Sequence, residues 1–321
     1  MKFKSFLKLI IPLLFGIFFI YLSIKITTFE DRKMILLAIK NADLKYVLLG
    51  LFFALLSHLS RAYRWRFLLA PMGYKPKLIN SIFCVFIAYL ANMGIPRSGE
   101  VIRASFISTY ENIPFEKAFG SVVIERIVDV IMLFLIILIA LTLQFETIWT
   151  FIEGKNIKFY QLFIFGGIVF TFLVFLLYAI KNSKSLFMNK IKKVFFGFWE
   201  GISSITSMEK KIPFMFHTVF IWAMYILMFY VIKWSIPGTF GLTIQMIIPV
   251  FVAGGLSIAT TNGGIGVFPL SVALVLGVFG INKEVGLAFG WIMWSSQTIL
   301  IIISGAFAFI ALPYVNRKST I

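Results

Sequence analysis

The chain has 321 residues, 60% of them hydrophobic and only 13% charged, and its 30 Lys and Arg against 13 Asp and Glu give +17 with His neutral. Soluble domains carry about 25% charged residues, whereas several runs here reach the roughly 20 apolar residues that cross a bilayer. A soluble enzyme and a nucleic-acid-binding domain are therefore excluded, and the excess charge is to be read against lipid and topology.

The first apolar run, about 9–26, follows Lys2, Lys4 and Lys8. It is long for a signal-peptide core and has no clear small-residue cleavage site, so a retained signal anchor is expected. The second span, about 44–60, is closed by Arg61-Ala62-Tyr63-Arg64-Trp65-Arg66. Arg61 and Arg64 share a helical face beside two aromatic residues, the pattern of a positive-inside stop with an interfacial belt. The same two arginines would also attract an anionic lipid headgroup.

The stretch 78–120 begins apolar and then breaks at Asn92-Met93-Gly94-Ile95-Pro96-Arg97-Ser98-Gly99-Glu100. Non-helical backbone at membrane depth survives only where protein or water satisfies its polar groups. Arg97, Glu100 and Arg103 follow at three-residue intervals. A helix starting near Ser98 would align Glu100 with Arg103, and an arginine held there can take a phosphate bidentately. The bland alternative is a local Glu–Arg pair in a hairpin that only shapes the bundle. A third span, about 121–143, opens with Glu125-Arg126-Ile127-Val128-Asp129. Glu125 and Asp129 share a face and Arg126 can pair with Asp129, so a supporting ion pair is expected here.

A fourth span, about 159–180, is followed by the most basic loop, 181–211, with seven lysines against two acids. A fifth span covers about 212–232. The stretch 242–280 is apolar but interrupted by Thr260-Thr261-Asn262-Gly263-Gly264-Ile265-Gly266, and a sixth span follows at about 285–312. Thr261, Asn262, Gly263, Gly264 and Gly266 form a candidate gate, since a glycine-rich turn opening a helix can hold an anion on backbone N–H groups. A hairpin tip packed for shape alone is the competing account.

Charge decides the topology. Lys and Arg accumulate in short cytoplasmic loops. With six crossings and two opposed re-entrant hairpins (78–120 and 242–280), the inside segments carry 17 basic and 2 acidic residues and the outside segments 9 and 6. Eight plain crossings would put the seven-lysine loop outside. The expected fold is thus all-α and polytopic, a single membrane domain over 1–321 with both termini cytoplasmic. Its halves, about 9–143 and 159–312, repeat one pattern in opposite orientation, a construction common in secondary transporters.

The single Cys84 permits no internal disulfide or cysteine metal site. His58 and His217 lack ligand spacing, and no nucleophile–base pair or phosphate loop is visible. No catalytic set, metal or cofactor is expected.

Four strings carry a resemblance: Tyr63-Arg64-Trp65, Arg97-Ser98-Gly99-Glu100-Val101-Ile102-Arg103, Glu125-Arg126-Ile127-Val128-Asp129 and Gly263-Gly264-Ile265-Gly266-Val267-Phe268. Together they resemble the lysylphosphatidylglycerol synthase transmembrane region, also called the flippase-like domain family, over essentially the whole chain. In the two-part synthases this domain moves aminoacylated phospholipid across the membrane, and a separate soluble domain makes it. The resemblance implies a non-ATP-driven translocase of the cytoplasmic membrane, with an anionic or aminoacylated phospholipid or a polyprenyl phosphate as its lipid partner. The sequence closes at Ile321, soon after the last span, so no aminoacyltransferase domain is expected. Pro269 stands where many relatives have an acid, which puts any mechanism needing that carboxylate in doubt here. Two other readings stay open. One is an embedded transferase acting on a lipid carrier, with Glu100 or Glu125 as base. The other is a membrane anchor for an envelope-synthesis enzyme, docked on 181–211.

Overall fold

A computed structural model describes residue 25, residues 28–147, residue 150, and residues 208–261 and 263–317. The expected spans at 9–26 and 159–180, most of the 181–211 loop, and Asn262 lie outside the described residues. Among the described residues every regular element is helical. The chain divides into two compact units, one of Met1–Glu125 with Glu209–Ile321 and one of Arg126–Met208.

The first unit opens with α1 (Phe29–Lys40), in a stretch that the sequence left as a charged loop, and α2 (Leu44–Leu69) follows at once. Asp43 caps α2 by accepting the Lys45 N–H at 2.9 Å. The helix runs on to Leu69 instead of stopping at 60, because the break waits for Pro71 and for Gly73, whose φ of 86° lies in the left-handed region. Arg61, Arg64 and Arg66 therefore belong to the helix and not to a loop.

The 78–120 stretch resolves into α3 (Leu78–Gly94) and α4 (Gly99–Glu111), and the next helix, α5 (Phe115–Leu143), starts earlier than expected. Pro114 sets that start: its carbonyl accepts the N–H groups of Lys117 and Ala118 at 3.0 and 3.1 Å. Between α3 and α4 the chain turns through Pro96 and Arg97, the latter at a φ of 60°. Asn92 Oδ1 accepts the Gly99 N–H at 2.7 Å. A Cβ at Gly99 would stand 2.2 Å from the Ala88 carbonyl, so the turn closes only with glycine. At the other end of the pair, Glu111 Oε1 accepts the Lys77 N–H at 2.9 Å and the Asn80 amide at 2.6 Å.

Then come α6 (Lys211–Ile232), α7 (Ile244–Thr260), α8 (Val267–Val278) and α9 (Lys283–Val315). Between α6 and α7, buried Lys233 donates to the Leu242 carbonyl, with its ammonium 4.4 Å from the Tyr230 ring and 4.8 Å from that of Trp234. The helices of unit one pack as α2 on α6, α8 on α9, α3 on α9, and α3 on α4. Close contacts run through small residues, as membrane helices require. A Cβ at Gly290 of α9 would lie 2.6 Å from the Pro269 backbone. The described part of the second unit is the remainder of α5, from Arg126 onward, with a few residues beyond it.

Three helical stretches, Leu44–Met72, Lys211–Ser235 and Lys283–Val315, are long and apolar enough to cross a membrane. Burial agrees. Leu274, Ile303 and Phe307 are 74%, 65% and 64% exposed, whereas Arg64 and Glu125 are wholly buried. A water-soluble protein inverts that order. The chain is a membrane protein whose described regular elements are all helices.

Candidate functional site

Four charged side chains from three helices meet inside the first unit. Arg61 and Arg64 come from α2, Arg103 from α4 and Glu125 from α5, and their exposures are 4%, 0%, 2% and 0%. Spacing explains the convergence: Arg61 and Arg64 are three apart on α2, in a buried polar stripe with Ser57 and His58. The same stripe carries Trp65 against α5, where its indole N–H donates to Ser121 Oγ at 2.8 Å.

Glu125 is the hub. Arg103 holds it with both terminal nitrogens, at 2.9 Å to Oε1 and 3.1 Å to Oε2, a bidentate pair. Arg61 donates to Oε1 at 3.0 Å, and a terminal nitrogen of Arg64 stands 3.7 Å from the same oxygen. Three guanidinium groups thus face one carboxylate. Removing these charged groups from water is costly, and the surroundings offset part of the cost. Arg64 also donates to Thr218 Oγ1 at 3.0 Å and lies 5.5 Å from the Phe214 ring. Arg103 sits 3.9 Å above the Trp65 ring. Its Nε has no hydrogen-bond partner among the described residues.

The expected site residues fall in several places. Arg61, Arg64, Arg103 and Glu125 come together. Arg97 is exposed in the α3–α4 turn, while Glu100 lies in the first turn of α4, one turn before Arg103. Arg126 and Asp129 belong to the second unit, where they pair with each other at 3.5 Å. Thr261, Gly263, Gly264 and Gly266 form the turn between α7 and α8. There Gly264 N–H donates to Thr261 Oγ1 at 3.2 Å and the Trp294 indole of α9 donates to the Gly263 carbonyl at 2.7 Å. The three glycines all have positive φ.

Sequence reasoning missed the contributions of Trp65, Ser121, Phe214 and Thr218, and it grouped Glu125 with Arg126 and Asp129 as a supporting cluster without naming Arg103 as its partner. One signal was available: Ser57, His58, Arg61 and Arg64 recur at helical spacing, a polar stripe too long for a simple helix end. Upstream in the stripe, the His58 ring centroid lies 4.7 Å from that of Tyr89, and its Nδ1 lies 3.4 Å from the Tyr225 hydroxyl. Among the described residues no cluster of His, Cys, Asp and Glu could hold a metal ion.

Residues 9–305 match the family model described as the lysylphosphatidylglycerol synthase TM region. A UPF0104 membrane protein of Methanocaldococcus jannaschii, MJ1595, is 30% identical over 129 residues, which cover 39% of this chain and 36% of that protein. The glycosyltransferase AglD of Haloferax volcanii is 27% identical over 106 residues, 33% of this chain and 17% of that protein. The matches thus span little more than a third of one relative and about a sixth of the other. No solved structure matches the chain. With the family model covering nearly the whole sequence, the chain belongs to the lysylphosphatidylglycerol synthase transmembrane-region family.

Proposed function

We propose that the protein is a lipid translocase, driven without ATP, that moves the phosphate-bearing headgroup of an anionic or aminoacylated phospholipid or a polyprenyl phosphate across the cytoplasmic membrane. One observation carries this reading: the convergence of three buried guanidinium groups, those of Arg61, Arg64 and Arg103, on Glu125 inside the helix bundle. Intramembrane ionisable groups are retained at such cost where they meet a substrate. An arriving phosphate would exchange with Glu125 for the Arg103 fork, which suits either oxyanion equally. Arg97 and Glu100 stand at the turn leading to Arg103, Arg126 and Asp129 supply a supporting pair, and the turn Thr261–Gly266 acts as the opposite gate.

The membrane arrangement belongs to the same proposal. The chain is one membrane domain of two inverted halves, about 9–143 and 159–312, with both termini cytoplasmic. The α3–α4 and α7–α8 pairs re-enter without crossing. Lengths support this: 17 and 13 residues, then 17 and 12, are each short of the roughly 20 needed for a span.

Reconstitution tests the proposal. Liposomes containing the protein and a headgroup-labelled phosphatidylglycerol or polyprenyl phosphate should expose label to an impermeant quencher faster than empty liposomes, and Arg103→Gln should slow this roughly tenfold. Movement no faster than in empty liposomes across the panel overturns it. A second reading, a transferase acting on a lipid carrier, takes support from the glycosyltransferase named among the relatives. A covalently modified lipid made by the purified protein would favour it.

A further inference from the structure

A cavity of about 510 Å³ opens where the chain enters α6. Tyr63 and Phe67 of α2 and His217 of α6 line it together with Glu209, Lys210 and Lys211. Two lysines against one glutamate leave the wall one positive charge in excess. The aromatic lining is fixed in place. The His217 ring centroid lies 4.9 Å from that of Tyr63 and 5.8 Å from that of Phe67, and its Nδ1 is hydrogen-bonded to Ser60 Oγ at 2.8 Å. That bond leaves Nε2 as the ring's remaining polar atom. The volume falls in the range of about 300–1,000 Å³ typical of small-molecule sites.

This cavity and the arginine cluster are built on neighbouring faces of the same two helices. On α6, Pro213 and His217 are four apart and line the cavity, while Phe214 and Thr218, also four apart, contact Arg64 at 5.5 and 3.0 Å. On α2, Tyr63 and Phe67 line the cavity, while Arg61, Arg64 and Trp65 are buried in the cluster. One residue's turn, about 100°, separates the two faces. A group held in the cavity thus stands one side-chain layer from Arg64.

We infer that this cavity is an outer site for the phosphate of an anionic phospholipid headgroup, captured by Lys210 and Lys211 and passed to Arg64 along the Phe214–Thr218 edge. Both lysines are exposed and hydrated, so they hold a phosphate as mobile point charges and release it readily. The Tyr63 and Phe67 rings offer an apolar surface to the glycerol backbone. Capture stands on the cavity alone, whereas the passage to Arg64 rests on the translocase reading.

The test uses the full chain in non-ionic detergent and measures binding of dihexanoyl phosphatidylglycerol, with dihexanoyl phosphatidylcholine and inorganic phosphate as separate arms. Phosphatidylglycerol should bind best. The K210A/K211A pair should weaken it roughly tenfold, and Phe67→Trp, which fills the cavity, should weaken it without touching the charge. The exposed lysines can be replaced without disturbing the fold, which circular dichroism checks. Binding unchanged in both variants overturns the site. Equal affinity for phosphatidylcholine overturns the anionic assignment, and equal affinity for inorganic phosphate overturns the lipid one. Lysine-dependent binding without headgroup movement in liposomes removes the translocase and keeps the site. Movement with binding indifferent to the lysines does the reverse.

Discussion

Arg103 lies against the Trp65 ring at 3.9 Å while its two terminal nitrogens hold both oxygens of Glu125. The indole thus covers a face of the guanidinium while its terminal nitrogens meet the carboxylate. Neutral packing and charge recognition are joined in one side chain.

Trp65 can be taken apart in two steps. Trp65→Phe keeps a ring face for Arg103 and loses the bond to Ser121 Oγ, so it should cost about 1 kcal/mol. Trp65→Leu loses the ring face as well, and the total should reach roughly 2 kcal/mol or more. Thermal unfolding in detergent reads both, and equal melting points for the two variants would contradict the stacking role.

Glu125→Gln removes the carboxylate that three guanidinium groups share. The loss should be on the order of 3 kcal/mol or more, because buried charges are left uncompensated. Adding an anionic lipid should recover part of the melting temperature, whereas a zwitterionic lipid should not. A variant as stable as the wild type, with no response to lipid charge, would remove the electrostatic account of the cluster.

Backbone approach gives a sharper contrast. Gly99→Ala places a methyl 2.2 Å from the Ala88 carbonyl, and the overpacking should cost about 1–3 kcal/mol. Gly120→Ala meets nothing within 4 Å in a helix interior and should gain about 0.5–1 kcal/mol. Monodispersity on heating separates the two, and a Gly99→Ala protein indistinguishable from wild type would contradict the tight turn.

Topology can be read by chemical labelling. In a Cys84→Ala background, Lys75→Cys and Lys117→Cys flank the α3–α4 pair at exposed positions. With a re-entrant pair, both should react with an impermeant maleimide from the same side of oriented vesicles. Reaction from opposite sides would make the stretch a single crossing.

Much of the fold follows from apolar runs and their punctuation. Pro71 and Gly73, the break around Pro96 to Gly99, and the glycines from Gly263 to Gly266 all mark real element ends. The site was harder to read, because charge in an apolar run has two explanations. Arg61 and Arg64 read as a helix end, and only the continuation of α2 to Leu69 carries them inward. Glu125 has no basic residue three or four positions away on its own helix, and spacing alone cannot single out Arg103, 22 residues back, as its partner. Thr218 and Phe214 were invisible, since a threonine or a phenylalanine in an apolar helix announces no role.

The paired amides of Asn80 and Asn316 exchange hydrogen bonds at 2.9 and 2.8 Å, and Gly305 lets α9 close on Leu90 and the Phe86 carbonyl. These two attachments sit near opposite ends of the α3–α9 contact, like bolts through a beam. Glu111 clasps the base of α3, so α4 and Arg103 ride on the same beam. If the protein is the proposed translocase, a stroke that shifted Arg103 relative to Arg61 and Arg64 would carry α9 with it. The pivot of such a motion would fall on the seam between that beam and α2 with α6.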